Sequence, residues 1–565
     1  MLTLEQKIGQ MVMVGFPGLE PPAYILDWLR EGRIGGVILF ARNVESPAQL
    51  AALTAACHQA AANQPPILIS IDQEGGIVAR LRESAGFTES PGAMALSASG
   101  SEQLAEEMSA ALASELRALG INWNYAPAVD ITHDIDNASI GTRSPGADPA
   151  WVSKIAAAQI RGFRRGGAAS TAKHFPGIGN TPIDTHLALA VVSGSVEFLW
   201  KQDLVPFRAA VQAGVDAVMV GHVKFEALDP EHPSTLSPAV VTGLLRREMG
   251  FTGVACTDCM EMKAVSNHYG AGESAVLAAL AGIDIVLFSH TRAMQEAAYD
   301  ALLEAAHSGR LPMARIDEAN ARIAALKAKH AVTTPRDLSA IRRPEHLELA
   351  ARAARAGVVL LKGGDLLPLD LSDPGVGVIE FAGYLDDEAL ARGGDSTFGA
   401  LLRARGAACA SLRQGELGSP HPTTPSTSGK GGAESTSVAG ASEERQASDL
   451  HAVLSPQSSS LHQAYALAER CDTLVLCTRS AHLNPDQLAT ARDLLDRAKR
   501  VIVVALRNPY DAAALPEADA ILCTCGDSRP SLVAALDALS GAFQPSGRLP
   551  VTIQTTGRET KWAKS

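Results

Sequence analysis

The stretch 173–186, KHFPGIGNTPIDTH, carries more ionisable side chains than a simple connection needs. Lys173 and His174 follow directly on the small apolar run 168–172. Pro176, Gly177 and Gly179 then oppose a regular helix and favour an irregular loop. The loop closes on Asp184-Thr185-His186. In extended backbone, side chains at i and i+2 point the same way, so the Asp184 carboxylate can hold the His186 imidazole and bias its tautomer. An imidazole titrating at its ordinary value of about 6.5 can donate or accept a proton near neutrality. The same spacing also fits a surface loop with a structural Asp–His contact. The candidate partner is Asp258, at the end of VACTD, where a carboxylate is costly unless it has a role or a partner. Capping the following segment is the competing role for Asp258.

Asp72 ends ILISID and opens IDQEGGIVARLR. Gly75 and Gly76 there permit close approach of the backbone to a ligand, and Arg80 follows eight residues after Asp72. The glycine pair is not a G-x-G-x-x-G, so no dinucleotide site follows. Arg143, in IGTRSPG, and Lys173 could hold hydroxyl or carbonyl oxygens, although each taken singly also fits a salt bridge. His222 ends VMVGH. Nothing in this set resembles a metal cage, so neither a metal nor another cofactor is expected. Cysteines 57, 256, 259, 409, 471, 477, 523 and 525 are scattered through apolar segments and read as reduced and buried. Cys256 and Cys259 form a C-x-x-C that could be a redox pair. A zinc site would need a second ligand pair at suitable spacing, and none lies beside it.

What must position these groups is legible in the apolar runs. Residues 10–16, 36–40, 67–71, 122–126, 170–174, 217–222, 254–257 and 284–288 read as strands. Between them lie amphipathic stretches at 101–119, 151–165, 196–213, 238–249, 273–281 and 292–308. Ser101 is a plausible N-cap of the first and Gly120 its stop. Eight strands alternating with helices over about 300 residues suggest a (β/α)8 barrel of the TIM type. An open doubly wound sheet is the alternative. In such barrels the chemistry sits at the carboxyl ends of the strands. Asp72, Lys173 with His174, His222 and Asp258 each end a strand candidate, so four independent strands follow this rule.

A chain of 565 residues should hold more than one domain. The first 334 residues are expected to form the barrel, 335–347 a linker, and 348–565 a second α/β domain with an open, doubly wound sheet. Its apolar runs are 357–361, 377–381, 474–477, 501–506 and 520–523, with helical patterns at 348–356, 486–497 and 531–539. The stretch 412–460, rich in Ser, Thr, Gly and Pro, interrupts it, and a disordered insertion is expected at about 414–448. Aromatics make up 4% of the chain, so the cores are expected to be aliphatic. A net charge of −12 argues against nucleic acid or an anionic membrane as partner. The first residues, MLTLEQKIGQMVMVGF, lack a signal-peptide pattern, and a cytoplasmic location is expected.

In order, IDQEGG-x-x-x-R, IG-x-RS, KHFPG-x-G with a downstream D-[ST]-H, and GVACTDCMEM resemble the family 3 glycoside hydrolases, most of all their β-N-acetylglucosaminidase branch. The resemblance runs over residues 4–328. GVVLLK, LRNPYD and SGRLPV are similar to the C-terminal α/β sandwich domain of the two-domain members. The resemblance implies that Asp258 is the nucleophile and His186 the acid/base, with Asp184 as its partner. It implies that Asp72, Arg80, Arg143, Lys173, His174 and His222 surround an N-acetylglucosamine. The implied activity is retaining exo-hydrolysis of terminal β-linked GlcNAc from peptidoglycan fragments (muropeptides) or chito-oligosaccharides. A phosphorylase or transglycosidase on the same site, or a non-catalytic sugar-binding protein, are the alternatives. Ile178, Asn180, Thr185, Pro145 and Cys259 depart from the family's usual residues without removing a proposed catalytic group.

Overall fold

The computed structural model describes residues 2–181, 189–192, 194–331, 337–381, 398–412 and 460–553. Asp184, His186 and the insertion expected at 414–448 lie outside them.

Every one of the eight expected barrel strands is present. They are β1 (Val12–Val14), β2 (Gly36–Leu39), β3 (Leu68–Ile71), β4 (Trp123–Asn124), β5 (Thr171–Phe175), β7 (Ala217–Val220), β9 (Val254–Cys259) and β10 (Ile285–Phe288). A small outer pair, β6 (Ala190–Val192) and β8 (Val223–Phe225), lies apart from them. The barrel order is β4-β3-β2-β1-β10-β9-β7-β5, and every ladder is parallel. Parallel bridges Trp123–Ala169 and Ala128–Lys173 draw the two end strands together, so the sheet nearly closes. The strands are buried along their length and rich in Val, Ile and Leu, because a parallel barrel is covered on both faces. Their connections are helices packed outside. The helix Glu102–Ala118 starts where the Ser101 hydroxyl accepts from the Leu104 N–H. It buries Ala105, Met108, Leu112 and Leu116, a stripe at helical spacing. The expected helix at 196–213 is two, Val196–Lys201 and Leu204–Gln212.

The second sheet has the order β11-β16-β15-β14-β12-β13. Its strands are β11 (Val359–Lys362), β12 (Val376–Phe381), β13 (Ala408–Leu412), β14 (Thr473–Thr478), β15 (Val501–Ala505) and β16 (Ala520–Cys523). All pair in parallel except the edge strand β11, which runs antiparallel to β16. Side chains alternate between two cores, one on each face. Ile379, Leu474, Leu476 and Val503 point into one, and Val378, Val475, Ile502 and Val504 into the other. The first core also takes in Met94, Ala95 and Ala98 of the barrel, so apolar packing joins the two domains. The helix Pro344–Ala356 begins within the stretch expected to link them. Among the described residues no helix is long and apolar enough to cross a membrane.

Candidate active site

Asp72, Arg80, Arg143, Lys173, His174 and Asp258 all line one cavity of about 550 Å³ at the carboxyl ends of the barrel strands. The volume is in the range of a small-ligand site. Two local irregularities aim the groups at it. Ala172 pairs with Val218 and Phe175 with Val220, so β5 carries one more residue than β7 between those pairs. The extra residue is a bulge at Lys173-His174, and it lets neighbouring side chains share one face. A second bulge lies on β9, where Cys256 pairs with Ile285 and Cys259 with Leu287. It falls at Thr257-Asp258, and the Cys259 N–H donates to Asp258 Oδ1 at 2.7 Å.

Around Lys173 the charges interlock. Its Nζ lies 2.7 Å from Asp72 Oδ1 and 2.7 Å from Glu74 Oε1. Asp72 also meets Arg80 Nη2 at 3.4 Å. Glu74 receives Arg143 through two parallel hydrogen bonds, Nε to Oε2 at 3.0 Å and Nη2 to Oε1 at 2.8 Å, the geometry in which guanidinium binds carboxylate most specifically. Arg143 Nη2 further donates to His174 Nε2 at 3.0 Å, and Nη1 to the Ser139 carbonyl at 2.9 Å. A guanidinium can only donate, so His174 Nε2 is the acceptor and the ring proton sits on Nδ1, 2.8 Å from Asp130 Oδ2. Asp130 also accepts from the backbone N–H groups of His174 and Ile178.

The titrations follow from this wiring. Burial alone would raise the Glu74 carboxyl, but Arg143 and Lys173 outweigh it and hold it well below the usual carboxylate range. Burial would lower the Lys173 ammonium, but Asp72 and Glu74 raise it. Asp130 is held low against its burial by His174, the Ile178 N–H and the Arg143 charge. Burial likewise would lower the Arg143 guanidinium, which Glu74 raises instead. Asp72, Glu74 and Asp130 thus balance Arg80, Arg143 and Lys173, leaving a rigid array of donors and acceptors suited to a neutral, hydroxyl-rich ligand. Such groups need no reorganisation when the ligand arrives.

His222 is not among the residues lining this cavity. Its Nε2 donates to the Cys259 carbonyl at 2.9 Å and its Nδ1 lies 2.8 Å from Thr235 Oγ1, so it holds the carbonyl of the residue after Asp258. Cys259 lines the cavity, and burial pushes its thiol up to about 12. Glu74 and Asp130 were not read from the sequence. Glu74 had a signal: it stands two residues from Asp72, where two carboxylates can flank one lysine. Asp130 had only the weaker one of a carboxylate among apolar residues. Among the described residues no group of three His, Cys, Asp or Glu side chains is arranged to hold a metal ion.

Residues 3–326 match the glycosyl hydrolase family 3 N-terminal domain, and residues 358–564 the family's C-terminal domain. A family 3 β-N-acetylglucosaminidase structure from Paenibacillus sp. str. FPU-7 superposes with a TM-score of 0.85 at 36% identity, over 98% of this chain and 100% of that one. A "Beta-hexosaminidase" of Stenotrophomonas maltophilia (strain R551-3) is 41% identical over 294 residues, which is 51% of this chain and 85% of that protein. "Beta-hexosaminidase A" of Pseudoalteromonas piscicida is 33% identical over 412 residues, 65% of this chain and 69% of that protein. The chain belongs to glycosyl hydrolase family 3 and is a glycoside hydrolase.

Proposed function

We propose that the chain is a retaining exo-β-N-acetylglucosaminidase acting on terminal β-linked GlcNAc of peptidoglycan fragments or chito-oligosaccharides. The observation that carries this reading is the pairing of Asp258, on its bulge, with the clamped Asp72 on the wall of a single cavity. The relatives named for β-N-acetylglucosaminidase and β-hexosaminidase support the choice of sugar. In this reading Asp72 accepts from sugar hydroxyls, with Lys173 and Arg80 fixing its two oxygens and Arg143 and His174 completing the wall. The Asp258 carboxylate attacks the anomeric carbon while the glycosidic C–O bond breaks. His186, oriented by Asp184, gives its proton to the departing oxygen. It then removes a proton from the water that cleaves the glycosyl–Asp258 ester, and the two displacements together retain configuration. His222 steadies Cys259, the residue after the nucleophile, through its carbonyl.

The test is release of 4-nitrophenol from its β-GlcNAc glycoside, with and without phosphate. Free GlcNAc in both cases is expected, and GlcNAc-1-phosphate would make the chain a phosphorylase. Asp258→Ala should lose turnover by several orders of magnitude, and azide should restore it with formation of the α-glycosyl azide. Azide failing to do so removes Asp258 as the nucleophile.

A further inference from the structure

We propose that the LRNPYD segment, residues 506–511, clasps the barrel loop that carries Arg143, making Asn508 and His482 positioning residues for the active site. The segment follows β15 at the carboxyl edge of the second sheet, and none of its side chains lines the cavity. Each of its polar residues leads back to the barrel.

Arg507 pairs with Asp527 at 2.8 Å. Burial alone would raise the Asp527 carboxyl, but Arg507, Arg479 and the barrel's Arg82 hold it low. Arg82 in turn donates to the carbonyls of Gly76 and Ile77, at 2.9 Å each, in the loop between Asp72 and Arg80. Asn508 donates to Ser480 Oγ at 3.1 Å, and its amide faces Gly141, where an added Cβ would sit 3.4 Å from both the amide nitrogen and oxygen. Gly141 has φ +42 and stands two residues before Arg143. Asp511 Oδ1 accepts from both N and Nδ1 of His482, at 3.1 and 2.8 Å. That places His482 Nε2 3.2 Å from the Ile135 carbonyl, and because both partners of the ring can only accept, both ring nitrogens carry protons when this contact is a hydrogen bond.

The other end of the loop is held as well. The Pro550 carbonyl accepts from Ala147 N at 3.0 Å, and a Cβ on Gly146 would lie 2.4 Å from it. The second domain therefore touches the loop at Ile135, Gly141 and Gly146-Ala147, with Arg143 between the last two. An open parallel sheet commonly binds its own ligand in the crevice at the carboxyl ends of its strands, where the strand order reverses. Here the reversal lies between β12 and β14, and Glu380 and Arg479 meet there at 2.7 Å with side chains 1% and 6% exposed. That pair reaches Arg507 of the LRNPYD segment through Asp527, so the described side chains at this crevice are spent on one another. A loop fixed at three points holds the Arg143 guanidinium in register with Glu74 and His174 before substrate arrives.

The inference rests on the reading that Arg143 faces the sugar, so its test has two separate readouts on the full chain. In the Asn508→Ala/His482→Ala double variant, amide hydrogen exchange of residues 135–147 should quicken about tenfold or more, with β5 and β9 unchanged. KM for the 4-nitrophenyl β-GlcNAc glycoside should rise about fivefold or more with kcat within about twofold. The comparison variant is Arg529→Ala, which removes the interdomain ion pair with Glu83 and leaves the backbone contact to Glu89 in place. It should lower Tm without moving KM. Unchanged exchange at 135–147 overturns the clasp, and faster exchange with unchanged KM overturns the positioning role. If the glycoside is not turned over at all, the proposed substrate fails while exchange still decides the clasp.

Discussion

At the carboxyl ends of the barrel strands, Asp72, Glu74 and Asp130 face Arg80, Arg143 and Lys173. At the carboxyl ends of the second sheet, Glu380 and Asp527 face Arg479 and Arg507. Both sets are buried ion pairs at the same topological place. They differ in what lies above them. The barrel set opens on a cavity of about 550 Å³, with the Asp72 side chain 14% exposed. The second set is capped by backbone: Arg479 donates to the Phe381 carbonyl, and Glu380 accepts from the Gly399 N–H at 2.8 Å. Buried ion pairs are weak evidence for stability in either place, because desolvation offsets most of their attraction. On the proposed reading the open set is kept for chemistry and the closed set for docking.

The largest expected effect comes from breaking the open set. Lys173→Met leaves Asp72 and Glu74 as two carboxylates sharing a buried site without their common cation. Removing one partner of such a set costs about 3–5 kcal/mol. It also releases the Asp72 oxygen that Lys173 fixes, so kcat/KM should fall by at least about 100-fold in the protein that remains folded. Chemical denaturation with kinetics on the folded fraction measures both. A variant that loses stability but keeps its kcat/KM would put the open set in the docking class.

The closed set should behave the other way round. Arg479→Met strands Glu380 and removes one of the two second-domain cations at Asp527, again costing about 3–5 kcal/mol. The kcat of the folded fraction should stay within about twofold, since Arg479 does not line the cavity. A collapse of kcat with unchanged Tm would reverse the assignment of the two sets.

The open set was largely legible in the sequence and the closed set was not, for a physical reason. Asp72, Lys173, His174 and Asp258 each end an apolar run, and in a parallel barrel all strand ends converge on one place. Arg143 and Arg80 were reached through their loops. Glu74 escaped because Asp72 already accounted for its segment. In the second sheet Glu380 lies inside an apolar run, and Arg479 and Asp527 lie just past theirs, but without a closed barrel nothing in the sequence says which strand ends are neighbours. β13, Ala408–Leu412, and the helix Ser460–Arg470 were missed because they border the biased stretch 412–460, whose composition masked their periodicity. The boundary between Lys201 and Leu204 was missed because the apolar pattern of the two helices runs on in phase.

A third buried charge sharpens the comparison by lacking a carboxylate. Lys327, on the helix Met313–His330 and 3% exposed, donates to Gln10 Oε1 and to the Gly35 carbonyl near the amino ends of β1 and β2. Burial pushes its amine down to about 7. In the unfolded chain the same amine titrates near its ordinary value of about 10.4. The unfolded state then binds more protons between those values, so folding stability rises with pH across that window and is flat outside it. Between pH 7.5 and 9.5 the rise amounts to about 2 kcal/mol. Lys327→Met keeps an unbranched apolar stem and removes the titration, so the variant should lack this part of the rise. Urea unfolding of both proteins at the two pH values isolates it, because every other titrating group cancels in the difference. Equal pH dependence of the two would mean that Gln10 and Gly35 keep the ammonium charged. Two neutral acceptors would then suffice at the amino end of the barrel, where at the carboxyl end Lys173 takes two carboxylates.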